Sequence, residues 1–517
     1  MKKKILFVLF TSFAISWASA QLASGDNFFN SSNVHTIKLT FTQPSFWDSL
    51  TTYKQQGDLS GSYYYMPAKV EVDGVILDSI GVRLKGNSSY NSYPSNKKPF
   101  KLDFNEFISG QKLDGMKKLN LNNSFKDPTM MREKLAYDFC RNVWINSPRC
   151  TYANLYINNE NWGLYCAVEE IDATFLKNKF ANKDGNLFKG DPQGSLQFFG
   201  YLASSYYPKY ELKNNENIND WSDLINLIDK INNSGPGNYY NEMNNVLNMG
   251  SYIRNRAMNI LFANLDSYDG SKHNYYLYHD TVSNRFEWLP WDVNEAFGNF
   301  NMGMTIPQLE CLDIFYIPNP QTNSPLAKNT LDNAAFKLEY TWHMNDFIQY
   351  YFSENYLYPS IDSIYNKIKS FVYADTKKMY TNQHFEDNIN QNISVPGPGG
   401  GNIAGLKSFI TNRRNCVNTQ LMQLGYPNVS VNENAFTETT FNIYPNPANV
   451  FFIIENNDSK IDNIEITDCF GKLLYVNSFS KNSSNIIKVD IQDLKSGLYF
   501  VKANIQGNVY TTKLIKF

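Results

Sequence analysis

The spacing of apolar residues changes along this chain, and that change limits the architectures open to it. In "KPFKLDFNEF", Phe100, Leu102 and Phe104 alternate with Lys101 and Asp103, so one face of an extended strand is apolar and the other polar. The same alternation runs through "HTIKLTFTQ" and "AKVEVDGVILDSIGVRLKG", with turns at Asp73-Gly74 and Gly86, and residues 35 to 80 read as strands. "DPTMMREKLAYDFCRNVW" then adopts helical spacing. Asp127 is the expected N-cap, Pro128 the first helical residue, and Met130, Leu135, Phe139 and Val143 share an apolar side. A hairpin in "TYANLYINNENWGLYCAVEEID", turning at Asn158–Asn161, and a short strand in "GNLFKGD" follow. From about Asn219 helical spacing dominates, interrupted by a second hairpin, "HNYYLYHD" and "RFEWLPWD", around Val282–Asn284. Sheet first and helix second predicts an α+β domain of two lobes with a cleft between them.

The ends of the chain read differently. "MKKKILFVLFTSFAISWASAQ" has basic residues, a short apolar stretch and a small-x-small site, the layout of a cleaved secretory signal over residues 1–20. No later segment is apolar enough to span a bilayer, so no transmembrane span is expected. "SVPGPGGGN" lacks the Lys-Ser/Thr of a phosphate loop and reads as a flexible insertion. Residues 427–440 are polar and aperiodic, a linker. Residues 441–517 carry about seven short alternating strands with turns at Gly471, Gly497 and Gly507, a small C-terminal β-sandwich. With 47 basic and 49 acidic residues the chain offers no charge pattern suited to nucleic acid. The six cysteines contain no C-x-x-C pair, which argues against structural zinc. A Cys140–Cys150 bridge and packed free thiols both remain open.

"NLDSYDGSKHNYYLY" crowds Asp266, Asp269, His273 and Asn274 before a strand that has no need of them. Asn274 precedes the first strand of the second hairpin and Asp292, in "PWDVNEAFG", ends its second. A hairpin brings its outer ends side by side, so an amide oxygen and a carboxylate would meet in a hard-cation site suited to Mg²⁺. Asp266 or Asp269 would lie close by as a base. Such a set is what phosphoryl transfer from a nucleotide requires, together with a phosphate-neutralising lysine and a glutamate to steer it. Lys101 on its strand, with Lys85 in "RLKGNSS" and Lys98 as rivals, is the candidate lysine, and Glu133 the candidate glutamate. Phe188 and Phe286 are candidates for a flat adenine slot. His273 has no second histidine at metal spacing and reads as a hydrogen-bonding neighbour.

Eight motifs in order, "RLKGNSS", "KKPFKLDFNEF", "DPTMMREKLAYDF", "YINNENWGLYCAVEEID", "NLFKGD", "NLDSYDGSKHNYYLY", "WLPWDVNEAFG" and "LKSFITNRR", resemble the spore coat protein H (CotH) kinase family over about residues 35–426. The resemblance implies an atypical protein-kinase-like fold that uses ATP with Mg²⁺ or Mn²⁺ to phosphorylate Ser or Thr of a protein substrate. It aligns the catalytic Asp with Asp266, the metal-holding Asp with Asp292 and the metal-side amide with Asn274. Ordinary kinases space catalytic Asp and Asn five residues apart, which fits Asp269 to Asn274, whereas Asp266 stands eight before Asn274. "YPNPA", "GKLLY", "SGLYFVK" and "KLIKF" resemble the C-terminal sorting domain of type IX secretion, which implies partnership with that machinery and a secreted or cell-surface location. Two other classes stay open. One is a catalytically inactive kinase-like surface or matrix binding module; the other is an aromatic-rich adhesin or carbohydrate binder whose acidic cluster holds Ca²⁺.

Overall fold

The computed structural model describes residues 23–180, 182–396, 401–426, 441–456, 460–468, 473–478, 486–505 and 508–516. The expected leader, the 427–440 linker, Cys469 and the turns at Gly471 and Gly507 lie outside them. The chain divides into one unit up to Val429 and another from Ser430.

The first unit begins with a closed barrel of β1 (His35–Thr40), β2 (Met66–Val72), β3 (Val75–Leu84), β4 (Phe100–Asp103), β5 (Lys118–Asn122), β6 (Cys150–Ile157) and β7 (Glu160–Glu169). Strand order is β1-β2-β3-β4-β5-β7-β6, and the parallel β1–β6 pair closes it. Alternation fills its interior: Ile37, Leu39, Val82, Phe100, Leu102, Leu119, Leu121, Leu155 and Tyr165 are all buried there. Asp73 and Gly74, both at positive φ, turn β2 into β3, and Asn158 and Asn159 likewise turn β6 into β7. β6 and β7 are buried on both faces, because Tyr152, Leu164, Cys166 and Val168 pack outward into the second, larger core.

Two local readings are corrected. Residues 46–60 are a helix, Phe46–Ser60, rather than strand; it ends on Gly61 in the left-handed region and buries little beyond Leu50, Lys54 and Gly57, so its helical period is faint in the sequence. The helix after β5 starts at Arg132, not Pro128, and runs to Asn142. Asp127 still caps it from a distance, accepting from the amides of Thr129 and Arg132, while Ser124, Lys126 and Met130 at positive φ make the approach irregular.

The rest of the first unit holds a second sheet, order β11-β10-β8-β9, built from β8 (Leu187–Lys189), β9 (Glu211–Leu212), β10 (Tyr275–Asp280) and β11 (Arg285–Pro290). Around it pack helices that include Ser222–Asn233, Met249–Leu261, Ala334–Asp346, Glu354–Ala374 and Leu406–Gln423. In Ser222–Asn233 the buried Leu224, Leu227, Ile228 and Ile231 recur at the helical period. β12 (Ile393–Val395) pairs with β13 (Gly401–Ile403). One disulfide, Cys311–Cys416, ties a loop to the last helix, whereas Cys140, Cys150 and Cys166 are free and buried. A Cys140–Cys150 bridge is therefore not made. Among the described residues no helix is long and apolar enough to cross a membrane.

The second unit has β14 (Phe441–Tyr444), β15 (Phe451–Asn456), β16 (Ile461–Asp468), β17 (Leu473–Ser478), β18 (Ile486–Asp490), β19 (Gly497–Ile505) and β20 (Asn508–Lys516). They form two sheets, β14-β15-β18 and β17-β16-β19-β20, which enclose one core from Phe452, Ile454 and Val489 on one side to Ile464, Ile466, Val501 and Leu514 on the other. Gly497 opens β19 instead of making a turn.

Candidate functional site

On β4 and β5 the alternation that sends Phe100, Leu102, Leu119 and Leu121 inward sends Lys101, Asn120 and Asn122 out of the barrel. There they join one polar chain. Lys101 Nζ lies 2.6 Å from Glu170 Oε1, and Asn120 Nδ2 donates to Glu170 Oε2 at 2.7 Å. Lys85 Nζ, just past β3, donates to Asn120 Oδ1 at 3.0 Å and Asn122 Oδ1 at 3.1 Å. Asn122 Nδ2 donates to Glu133 Oε1 at 2.7 Å. The sequence-expected pairing of Lys101 with Glu133 is thus replaced: Lys101 pairs with Glu170, and Lys85 is the lysine joined to Glu133, through Asn122. Lys98 donates to the carbonyls of Tyr90 and Tyr93 instead. Gly86 stands at φ +81°, a left-handed conformation that favours glycine.

The opposing wall comes from the loop after Met249–Leu261 and from the β10–β11 hairpin. Trp291 N donates to Asn274 O at 3.1 Å, so the residues flanking the hairpin ladder lie side by side. Asn274 Nδ2 donates to Asp266 O at 2.8 Å and Asp266 Oδ2 at 3.1 Å. Asp266 Oδ1 receives Ser271 Oγ at 3.1 Å and lies 2.6 Å from His273 Nε2. The Asp292 amide donates to Tyr137 Oη at 3.1 Å, and Tyr137 stands one helical turn after Glu133. Lys85 Nζ sits 5.4 Å from the Trp291 ring centre. Ala263, Lys272, Asn274, Asp292 and Phe297 all hold positive φ, a clustering of strained backbone typical of sites under functional constraint.

The electrostatics follow from burial. Asp292 is pushed above its ordinary pKa by burial; Lys85 opposes this, Asp266 reinforces it, and Lys189 and His273 oppose it. Burial and the charge of Asp292 push Glu133 up to about 8 against the pull of Lys85 and Asn122. Burial lowers Lys85, with Asp292, Glu170 and Glu133 holding it up. Burial also works against protonation of His273, but Asp266, by hydrogen bond and charge, outweighs it. Glu295, paired with Lys126 at 3.0 Å, is raised to about 7 by burial and by Asp266 and Asp292.

Asp269 points elsewhere. It is buried, ion-paired to the fully buried Arg256 of Met249–Leu261, and receives Asn259 Nδ2 at 3.3 Å. Gly270 beside it admits no side chain, a Cβ there lying 1.9 Å from Leu265 O. Phe188 and Phe286 are buried in the core of the second sheet, 6.4 Å apart, with Phe188 against Trp221 and Phe286 stacked on His279. They form no open slot. Sequence reasoning passed over Asn120, Asn122, Glu170 and Tyr137. The outward positions of "KLNLN" carried the signal, asparagines on a strand where a solvated face would carry longer or charged groups.

A long-range contact fixes the end of the helix that leads into the Asp266 loop. Arg413, fully buried in the last helix, donates to the carbonyls of Ile260 and Leu261 at the end of Met249–Leu261 and to Leu312 beside the disulfide. A cation at a helix C-terminus satisfies carbonyls that the helix leaves open.

The residues fit a hard cation held with a polyanion. Among the described residues Glu133 Oε2 is buried with no hydrogen-bond partner. Asn274 spends its N–H on Asp266 and so has its amide oxygen to offer. Among the described residues no three His, Cys, Asp or Glu side chains converge into a cage. A carboxylate with an amide oxygen is a donor set that Mg²⁺ takes, completing its shell with water and phosphate.

The chain matches the family model described as CotH kinase protein over residues 82–416, and the secretion system C-terminal sorting domain over 442–517. It is 28% identical to inner spore coat protein H of Bacillus subtilis over 286 residues, 54% of this chain and 75% of that one. Invasin CotH3 and invasin CotH2 of Rhizopus delemar are 21% and 22% identical over 64% and 58% of this chain, which spans 59% and 54% of their lengths. A solved Shewanella oneidensis toxin–antitoxin complex of HipA and HipB with operator DNA is similar over 60% of this chain and 58% of its own, at 10% identity and a TM-score of 0.22, a likeness too low to argue from.

Proposed function

The chain belongs to the CotH kinase protein family and ends in a type IX sorting domain, and we propose that it is an exported kinase that transfers the γ-phosphoryl group of ATP to Ser or Thr of a secreted or surface protein. One observation carries this reading: Lys85, joined to Glu133 through Asn122, lies 5.4 Å from the ring centre of Trp291, next to Asp292, whose own amide donates to Tyr137 one turn after Glu133. In this reading the barrel and the helical region are the two lobes of a kinase-like fold. Bound ATP with Mg²⁺ or Mn²⁺ supplies the phosphoryl group and neutralises charge on the phosphates.

The chain's own residues do the rest. Lys85 faces the phosphates, and Glu133 with Asn122 fixes its direction; Lys101 stabilises the chain behind it through Glu170. Asn274 and Asp292 hold the metal. Asp266 positions the acceptor hydroxyl and takes its proton on Oδ2, while His273 and Ser271 fix Oδ1. Asp269 serves as scaffold, and Phe188 and Phe286 serve the core. Residues 1–20 direct export, and the tail directs passage to the outer surface.

The test is transfer of labelled phosphate from ATP by the purified mature chain, to itself or to a Ser-rich acceptor. Asp292→Ala and Asp266→Ala abolish it and leave the thermal melt in place. A second reading, an inactive surface-binding module, draws on the exposed Phe199, Tyr201, Leu202 and Tyr207 and on the name invasin of two relatives. It prevails if the wild type binds no nucleotide with either metal.

A further inference from the structure

β8 runs antiparallel to β10, with Lys189 directly opposite Tyr276, and Gly190 N continues the pairing by donating to Tyr275 O at 3.0 Å. Residues opposite each other across two strands share a face. On that face the Tyr276 ring meets Trp291 edge-on at 5.7 Å, and Trp291 in turn meets Lys85. Lys189 and Lys85 therefore flank the same Tyr276–Trp291 pair, one arriving from the second sheet and the other from the barrel. Lys189 is ion-paired to Asp191 across a turn that is built to shape. A Cβ on Gly190 would lie 2.5 Å from the Tyr275 ring, one on Gly194 would lie 2.8 Å from Gly190 Cα, and Tyr275 Oη donates to Gly194 O at 2.6 Å.

We propose that Lys189, steered by Asp191, is a second phosphate-directed cation of the nucleotide site, facing Lys85 across the Tyr276–Trp291 pair and binding the anionic oxygens of a nucleoside triphosphate. This rests on the kinase reading above. A metal-bound triphosphate still carries about two negative charges at neutral pH, more than Lys85 alone balances beside Asp266 and Asp292. The electrostatic links agree: Lys189 is stabilised as a cation by Asp191, Glu211 and Asp292 against the effect of burial. Lys189 acts with Lys85, and Asp191 holds its ammonium toward the site.

The experiment is calorimetric titration of the mature chain with a non-hydrolysable ATP analogue and with ADP, each with Mg²⁺. Lys189→Met is expected to weaken the triphosphate analogue about tenfold or more, equal to about 1.4 kcal/mol, and ADP by less. Lys189→Arg restores most of the loss, and Asp191→Asn gives a smaller loss in the same order. A circular dichroism melt of each variant confirms folding. Lys189→Met binding the analogue within twofold of a wild type that binds it overturns the proposal alone. A wild type that binds neither nucleotide overturns both it and the kinase reading.

Discussion

Lys97 and Lys85 both reach from the barrel toward the helical region, and they end in opposite states. Lys97 meets Asp375, just past Glu354–Ala374, with both side chains wholly buried. Asp375 is saturated further by the amides of Leu164 and Lys377, and Gly163 leaves room for it, since a Cβ there would lie 2.0 Å from its carboxyl carbon. That region is closed by a direct ion pair, with both Asp375 carboxylate oxygens hydrogen-bonded. Around Lys85 the balance fails. It bonds neutral asparagines, while Glu133, Asp292 and Asp266 crowd one another and Glu133 keeps a bare oxygen. Buried charge that is paired is architecture. Buried charge left unbalanced costs stability and persists where a ligand completes it.

The comparison breaks if the two regions respond alike to substitution. The largest effect is expected at Asp292→Asn: phosphoryl transfer falls at least about a thousandfold, some 4 kcal/mol of barrier, while the melting midpoint holds or rises because a crowded charge is gone. Asp375→Asn should do the reverse. It strands the Lys97 ammonium and lowers stability by about 3–5 kcal/mol in denaturant melts, with nucleotide affinity of the folded fraction retained. Asp269→Asn, which strands Arg256, belongs with Asp375→Asn on stability; a variant as stable as wild type would undo its scaffold role.

Lys85→Met against Lys101→Met sharpens the assignment of the phosphate-facing lysine. The first is expected to lower transfer about a hundredfold or more, some 2.7 kcal/mol; the second acts through the Glu170 chain and shows mainly as a lower melting midpoint. Equal loss of activity in both would leave Lys85 without its special place.

The Glu133 side of the comparison shows as a pH slope. Glu133 titrates near 4.5 when unfolded and near 8 when folded, so between those values the native state holds the extra proton. Stability then falls as pH rises through that window, by at most about 1.4 kcal/mol per unit. Glu133→Gln flattens the slope. Urea melts at pH 5 and pH 8, in chelator, read the difference, and parallel curves for the two proteins would refute it.

Much of the local architecture was legible. Period-two alternation announced β4 and its outward Lys101, and the aromatic strands around Val282–Asn284 announced the hairpin that sets Asn274 beside Trp291. The helix Phe46–Ser60 was not, because a helix that buries one leucine and the stem of a lysine leaves no clear period. The link from Lys85 to Glu133 was hidden for a different reason. It runs through Asn122 on β5, and nothing near Lys85 in sequence marks that partner.

The sequence by itself determined the outward face of β4, the turn at Asp73-Gly74, the turn that starts at Asn158 and the turn of the β10–β11 hairpin, and that acids and an amide gather between Asp266 and Asp292, because side-chain direction and turn chemistry are local properties of the chain. Only the tertiary structure decided which lysine meets Glu133, that Asp269 belongs to Arg256, and that Cys311 pairs with Cys416 across 105 residues. Those choices depend on strand register and barrel closure, which bring distant segments into contact and so fix the partner of every buried charge.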